Sequence, residues 1–340
     1  VEEWEEMTKP LDLQQFMVRT DLALEAKELA ESGGGQVPGV LSETIEEEGV
    51  VITRMTVETE QGAQAIGKLK GRYVTLEAPG LRGLDTGLQD HVATIFAREF
   101  EALLQRLGVR TDAKVLIVGL GNWNVTPDSL GPLVVENVMI TRHFFELMPD
   151  DVAPGYRPVS AVSPGVMGTT GIESSDIVLG IVQGTKPELI IAIDALASKS
   201  MERVNTTIQI ADTGIHPGSG IGNKRRGLTE EILGVPVIAI GIPTVVYAST
   251  IVNNTIEMMQ RHFETHTDQT GQILGLLPSM QEQERLMLVK EVLEPMGKDM
   301  LVTPKEVDQF IEDIANILAS GLNAALHDAV DTHNVGAYTH

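Results

Sequence analysis

Two stretches of this 340-residue sequence set an aspartate at the end of an apolar run. Lys114-Val-Leu-Ile-Val-Gly119 leads through Leu120-Gly-Asn-Trp-Asn-Val-Thr-Pro to Asp128, and Glu188-Leu-Ile-Ile-Ala-Ile193 runs straight into Asp194. In an open α/β sheet, ligands bind beyond the carboxyl ends of the strands, so the pattern predicts both carboxylates on one rim. Such a pair can divide acid and base roles. One, ionised, activates a water, and the other, protonated, donates to a carbonyl oxygen or a leaving amine. Held close, the two would titrate as a unit. Each residue also has an ordinary duty available. Asp128 precedes Ser129-Leu-Gly-Pro132 and suits a helix N-cap. Asp194 ends an apolar run, so burial would raise its pKa and a nearby cation would lower it.

Other polar residues stand close in sequence. Gly119-Leu-Gly121-Asn122 is a glycine turn at a strand exit; it is not a dinucleotide fingerprint, because Asn124 occupies the third glycine position. Arg142-His143 follows the first aspartate and Arg203 the second. Asp212-Thr-Gly-Ile-His216 opens a glycine-rich, basic loop that ends at Arg226, of a kind that binds anions or a substrate backbone. Asn122, Arg142, His143, Arg203 and His216 are therefore candidates for oxyanion support or substrate binding. The histidines lack H-E-x-x-H spacing and no G-x-S-x-G elbow is present. The chain has no cysteine, which excludes disulfides, thiol catalysis and Cys-ligated zinc. No metal and no cofactor are expected.

The elements that must position these residues are legible as patterns. Hydrophobic residues make up 42% and aromatics 4%, so the core is built from Val, Ile, Leu and Ala. Val51–Val57 and Gly71–Leu76 read as strands, and Leu88–Leu107 as an amphipathic helix stopped by Gly108. Helical patterns follow around Leu130–Phe145. Ile177–Val182, Leu189–Ile193, Thr207–Ile210 and Val235–Ile240 read as short apolar strands, uniform enough to be covered on both faces. Thr20 and Asp21 would cap a helix over Leu22–Ala30. Ser249–Phe263 reads as a helix, and Thr303-Pro-Lys-Glu306 as the capping box of another that runs to Leu326. Residues 264–284 are polar and read as a loop insertion. The expected architecture is α/β, a three-layer α/β/α sandwich with small excursions. The net charge of −23 argues against direct binding of nucleic acid through its phosphates. No apolar run reaches the roughly 20 residues of a membrane helix, and the acidic Val1-Glu-Glu-Trp-Glu-Glu start is unlike a signal peptide. A cytoplasmic protein is expected.

The longer motifs are more specific than any of these. VRTDLALEAK (18–27), GRYVTLEAPG (71–80), VGLGNWNVTPDSLGP (118–132), IIAIDALASKSMERVNTTIQIADTGIHPGSGIGNKR (190–225), VPVIAIGIPTVV (235–246) and GAYTH (336–340) resemble the germination protease family of spore-forming bacteria. That family comprises endopeptidases that degrade small acid-soluble spore proteins. The resemblance implies a fold like that of the hydrogenase-maturation endopeptidases, with their G-[IL]-G-N…D motif. It also implies an atypical aspartate mechanism on Asp128 and Asp194, a homotetramer, a location in the forespore or spore core, and a zymogen that removes its own propeptide. Family substrates are cut after an acidic residue in a Thr-Glu-(Phe/Ile)-Ala context. Thr20-Asp21-Leu22-Ala23 thus implies self-cleavage at Asp21–Leu22, with residues 1–21 as propeptide and 22–340 as one peptidase domain. Two departures stand out. The segment before Leu11 is longer than expected and carries Trp4, and Tyr247 stands where an aspartate is expected. Two alternatives remain at this point: a metal-recognising maturation peptidase of the hydrogenase type, and a scaffold that binds spore proteins without cutting them.

Overall fold

The structure is a computed structural model that describes residues 20–32, 34–83, 85–216, 226–265 (260–265 as backbone), 287–289, 291, 293 and 299–330. The N-terminal segment with Trp4, nearly all of the expected insertion at 264–284 and the GAYTH end lie outside the described residues.

The chain divides into two compact units, one of Thr20–Val245 with Thr303–His340, the other of Val1–Arg19 with Val246–Val302. In chain order the elements are α1 (Ala23–Glu31), β1 (Val40–Glu47), β2 (Val50–Val57), α2 (Glu60–Ile66), β3 (Gly71–Glu77), α3 (Thr86–Arg106), β4 (Val115–Gly119), α4 (Leu130–Asn137), α5 (Arg142–Leu147), β5 (Val159–Val162), α6 (Ser174–Thr185), β6 (Leu189–Ser198), β7 (Thr207–Ala211), β8 (Val237–Tyr247), α7 (Ala248–Thr265), β9 (Leu301–Val302) and α8 (Val307–Leu326). The strands form one mixed sheet in the order β1-β2-β3-β7-β8-β6-β4-β5, with β9 added on β8. The β4–β5 and β4–β6 pairs are parallel, whereas the β1–β2, β2–β3, β3–β7 and β7–β8 pairs are antiparallel.

Alternation along the strands shows why both faces are covered. In β4 and β6, Val115, Ile117, Leu189, Ile191 and Ile193 join one core with Phe96 and Phe100 of α3, Leu130 and Val134 of α4, and Ile311, Leu318 and Leu322 of α8. Leu116, Val118, Ile190 and Ala192 point the other way, into a second core with Val178 and Val182 of α6. Farther along the sheet that second face is closed by residues of α1 and α2 packed on Met55, Val57 and Tyr73. The mixed α/β class and the three layers are as the sequence predicts. In the other unit, α7 contributes Ala248 and Ile256 to a small core with Val289 and Leu293.

Three local readings change, and one strand is new. Ile177–Val182 is not a strand but the middle of α6, because a six-residue apolar run is compatible with either period and Val178 and Val182 sit one helical turn apart. β1 reads as polar in sequence because six successive residues are exposed; it pairs β2 across a tight turn at Glu48-Gly49, where φ is positive at both residues. Thr20 and Asp21 do not cap α1, whose N-cap is Leu22 without a side-chain bond. Thr303 does not cap α8, which begins after Glu306; its hydroxyl donates to the Thr244 carbonyl at 2.9 Å instead.

The C-terminal end of α8 is fixed by a buried basic pair. Arg157 donates from Nε to the Leu326 carbonyl at 2.5 Å, and its backbone N–H donates to His327 Nδ1 at 3.3 Å. His327 is fully buried. Burial, reinforced by the Arg157 charge, pulls its pKa down to about 4. In the unfolded chain the same group takes up a proton near pH 6.5. Folding stability from this group is therefore present above pH ~6.5 and is lost as pH falls toward 4, at up to about 1.4 kcal/mol per pH unit. Urea titrations of wild type and His327→Gln at pH 7 and pH 5 check this. The wild-type loss between the two pH values should exceed that of the variant by roughly 1 to 2 kcal/mol.

Candidate active site

The exit from β4 is the tightest piece of backbone packing at the expected site. β4 ends at Gly119 and α4 begins eleven residues later, close enough that a Cβ on Gly131 would stand 2.3 Å from the Leu120 carbonyl oxygen. At Gly121, φ is +121° and a Cβ would stand 2.0 Å from the Asp128 carbonyl oxygen. The loop closes there: Asn122 N–H donates to that same carbonyl at 2.8 Å. Inside the loop, Asn122 Oδ1 accepts from Asn124 N–H at 3.0 Å, and Asp128 N–H donates to the Val125 carbonyl at 2.7 Å. The glycines thus serve close backbone approach. The role of Asn122 here is to shape the turn that presents Asp128.

That turn, Thr126–Asp128, is a single 3₁₀ turn. Asp128 is half-buried and two residues ahead of α4, whose N-terminus favours negative charge. The residue at the N-cap position of α4 is Ser129, not Asp128, and its hydroxyl donates to the Thr126 carbonyl at 2.8 Å. The turn is anchored from two strands away: Thr244 of β8, itself buried, donates to the Pro127 carbonyl at 2.6 Å. Because β6 lies between β4 and β8, the turn has to pass over β6, and it packs against that strand and α8.

Asp194 lies on β6 just where β4 stops. The last β4–β6 pair is Gly119 with Ile193, and Leu120 N–H donates to the Ile193 carbonyl at 2.8 Å. β6 itself continues four residues farther, to Ser198, so the rim is made by the shorter neighbour rather than by the end of the aspartate's own strand. Asp194 is 8% exposed, and one of its carboxylate oxygens accepts from Ala195 N–H at 3.0 Å. The backbone thus brings the Asp128 turn and Asp194 to one patch.

The same stretch of β6 holds Asp21. Its N–H donates to the Ala197 carbonyl at 2.9 Å and its carboxylate accepts from Ala197 N–H at 2.9 Å. Lys68 Nζ donates to the carbonyl oxygens of Asp21 at 2.8 Å and Thr20 at 3.3 Å. Burial keeps the Lys68 ammonium below the usual lysine range, against the opposing charges of Asp21 and Glu25. The Leu22 side chain is completely buried. Neither Lys68 nor Ala197 carries a sequence signal, since a lone lysine and a strand alanine look like any others.

The remaining candidates disperse. Arg142 pairs with Glu146 at 2.7 Å within α5, and the His143 ring lies tilted against Phe144 with centroids 4.0 Å apart. Thr141, just before them, bonds to Arg157 and Val159. Val159 begins β5, so Arg142 and His143 stand at the amino end of the parallel strands, opposite the aspartates. Arg203 is a clamp. It donates twice to Glu28 at 2.7 Å and once to Glu77 at 2.7 Å. His216 is exposed, beside the Ile215–Leu228 bridge, with its ring against Gly227. Among the described residues no helix is long and apolar enough to cross a membrane.

Gly121 is where this geometry is most brittle. Gly121→Ala should displace Asp128 and lower peptide-bond hydrolysis at least about tenfold while the chain stays folded, because a side chain there must push the Asp128 carbonyl away. Kinetics on a peptide substrate, with far-ultraviolet circular dichroism as control, check it; an unchanged rate would show that the Asp128 turn is not positioned by this contact.

Comparisons with known proteins give the family. The family model described as germination protease, Peptidase_A25, matches residues 17–272 and 264–339. Germination protease of Bacillus cytotoxicus is 51% identical, covering 98% of this chain and 100% of the relative, and that of Bacillus cereus is 50% identical with the same coverage. Among solved structures, a [NiFe] hydrogenase maturation protease HycI from Thermococcus kodakarensis is 22% identical with a TM-score of 0.25, covering 39% of this chain and 74% of that one, a likeness too slight to carry an argument. With a family model over nearly its whole length and relatives at half identity, the chain belongs to the germination proteases, a family of peptide-bond hydrolases.

Proposed function

We propose that Asp128 and Asp194 are the acid–base pair of this protease. One carboxylate, ionised, draws a proton from a water as its oxygen adds to the scissile carbonyl carbon. The other, protonated, donates to the carbonyl oxygen or the departing amine. The observation that carries the reading is the path of the Thr126–Asp128 turn, tied to Thr244 of β8 and so crossing β6 where Asp194 lies. The substrates are small acid-soluble spore proteins, cut after an acidic residue during germination, and the working form is a homotetramer in the spore core.

The chain is its own first substrate. Residues 1–21 are a propeptide, removed by cleavage between Asp21 and Leu22, and residues 22–340 form the mature peptidase. The placement of Asp21 on Ala197, three residues beyond Asp194 on the same strand, supports this. An acidic residue before the bond is held by a strand peptide group on both sides, which fixes the register of the chain.

Asp128→Asn and Asp194→Asn test the pair. Each should lower cleavage of a Thr-Glu-Ile-Ala peptide by at least about a hundredfold, and each should leave the N-terminus of the full chain uncut when it is sequenced after incubation. Wild-type activity in either variant rules out the pair.

A further inference from the structure

We propose that Glu25 is the built-in counter-ion for the amino terminus created at Leu22, an inference that rests on the reading that the chain is cut between Asp21 and Leu22. The Thr20 hydroxyl accepts from Leu22 N–H at 3.0 Å and itself donates to Glu25 Oε2. The Leu22 nitrogen and the Glu25 carboxylate are thus one hydroxyl apart. Glu25 is only 1% exposed, an unusual place for a carboxylate. It accepts from Lys199 N–H at 2.6 Å and Ser200 N–H at 2.9 Å, and Arg203 lies 3.4 Å away.

Hydrolysis changes what this carboxylate faces. The water's OH joins the Asp21 carbonyl carbon, the C–N bond breaks, and the water's hydrogen goes to the Leu22 nitrogen. At neutral pH the new acid gives up its proton and the new amine takes one. The segment ending in Asp21 departs with a second carboxylate and takes the Thr20 hydroxyl with it. Glu25 loses a donor at the moment when an ammonium with three donors appears one hydroxyl away. The buried Leu22 side chain and the bond from Ala23 N–H to Gln209 Oε1, at 2.6 Å, hold the new terminus in place.

The other cations near Glu25 are otherwise engaged or not fixed there. Arg203 is shared with Glu28 and Glu77; Lys68 loses its Thr20 and Asp21 carbonyl partners with the departing segment and is left on a flexible four-carbon stem. The Leu22 amine is covalently fixed beside the position that Thr20 vacates. Lys199 and Ser200 directly follow β6, so the new pair ties the amino terminus to the strand that carries Asp194. Glu25 is in this sense a positioning residue whose effect depends on where the chain begins.

The test separates this pairing from the cut itself. An N-terminal fusion partner is removed directly before Leu22 after folding, so that Leu22 becomes the terminus whether or not the chain cuts itself. A second version leaves one extra glycine before Leu22 and so moves the amine. In the wild-type background the extra glycine should lower the thermal midpoint by roughly 3 °C; in Glu25→Gln the two versions should melt together. Should Glu25→Gln not fold, cyanate modification of the wild-type pair serves alone. A paired amine with its pKa raised by about one unit should react roughly tenfold more slowly than the displaced one at neutral pH. Equal reaction rates, or a glycine effect that persists in Glu25→Gln, would overturn the proposal. Sequencing the N-terminus of the full chain reports separately on self-cleavage at Asp21–Leu22.

Discussion

The site depends on one backbone contact, the hydrogen bond from Asn122 N–H to the Asp128 carbonyl, made where Gly121 leaves no room for a Cβ. It closes the loop from β4 to α4, and closure sets where the Thr126–Asp128 turn lies. Backbone donors and acceptors are rigid, so a loop closed this way places a side chain more narrowly than side-chain packing does. The Thr244 hydroxyl then fixes the far edge of the turn to β8. With one tether on each side of β6, the turn has no path except over the strand of Asp194.

β6 is correspondingly the spine of the molecule. Its first half is buried on both faces and pairs β4 in parallel. Its second half outruns β4 and, with its β4 side free of ladder pairing beyond Ile193, bonds to the chain's own N-terminal segment at Ala197 and, just past its end, at Lys199 and Ser200. A strand that projects beyond its neighbour offers unpaired peptide groups, which extended peptides occupy readily. The projection explains how one strand can carry a buried carboxylate and also hold Asp21.

The sheet and its covering helices are legible in the sequence, because burial writes itself as apolar runs in β4, β6 and β8 and as helical spacing in α3 and α8. What is not legible depends on partners distant in sequence. Thr244 and Thr303 are ordinary threonines until β8 is set beside β6. Gly131 looks like part of a helix start until α4 is packed on Leu120. Arg142 and His143 stand near Asp128 in sequence but on the far side of α4, at the other end of the parallel strands, because a helix that returns beside a strand reverses the direction of the chain. Sequence proximity across a helix therefore misleads by about the length of the strand.

Arg203 misleads for a different reason, and the reason bears on how an acidic protein can hold an acidic residue. With a formal net charge of −23, the cations among the described residues are in demand as structural partners: Arg203 binds Glu28 and Glu77, and Arg54 binds the buried Glu99 through two bonds at 2.7 Å. The long-range field of such a chain repels a carboxylate, yet that field is screened over about 8 Å at physiological ionic strength. Short-range donors are among the contacts that hold Asp21, the Ala197 peptide N–H on its side chain and the Lys68 ammonium on its carbonyl. A strand amide carries no net charge to be drawn off by the surrounding glutamates, and its direction is fixed by the sheet. Recognition of an acidic residue by backbone geometry is thus compatible with a surface of the same sign, where recognition by an exposed arginine would compete with every neighbouring carboxylate.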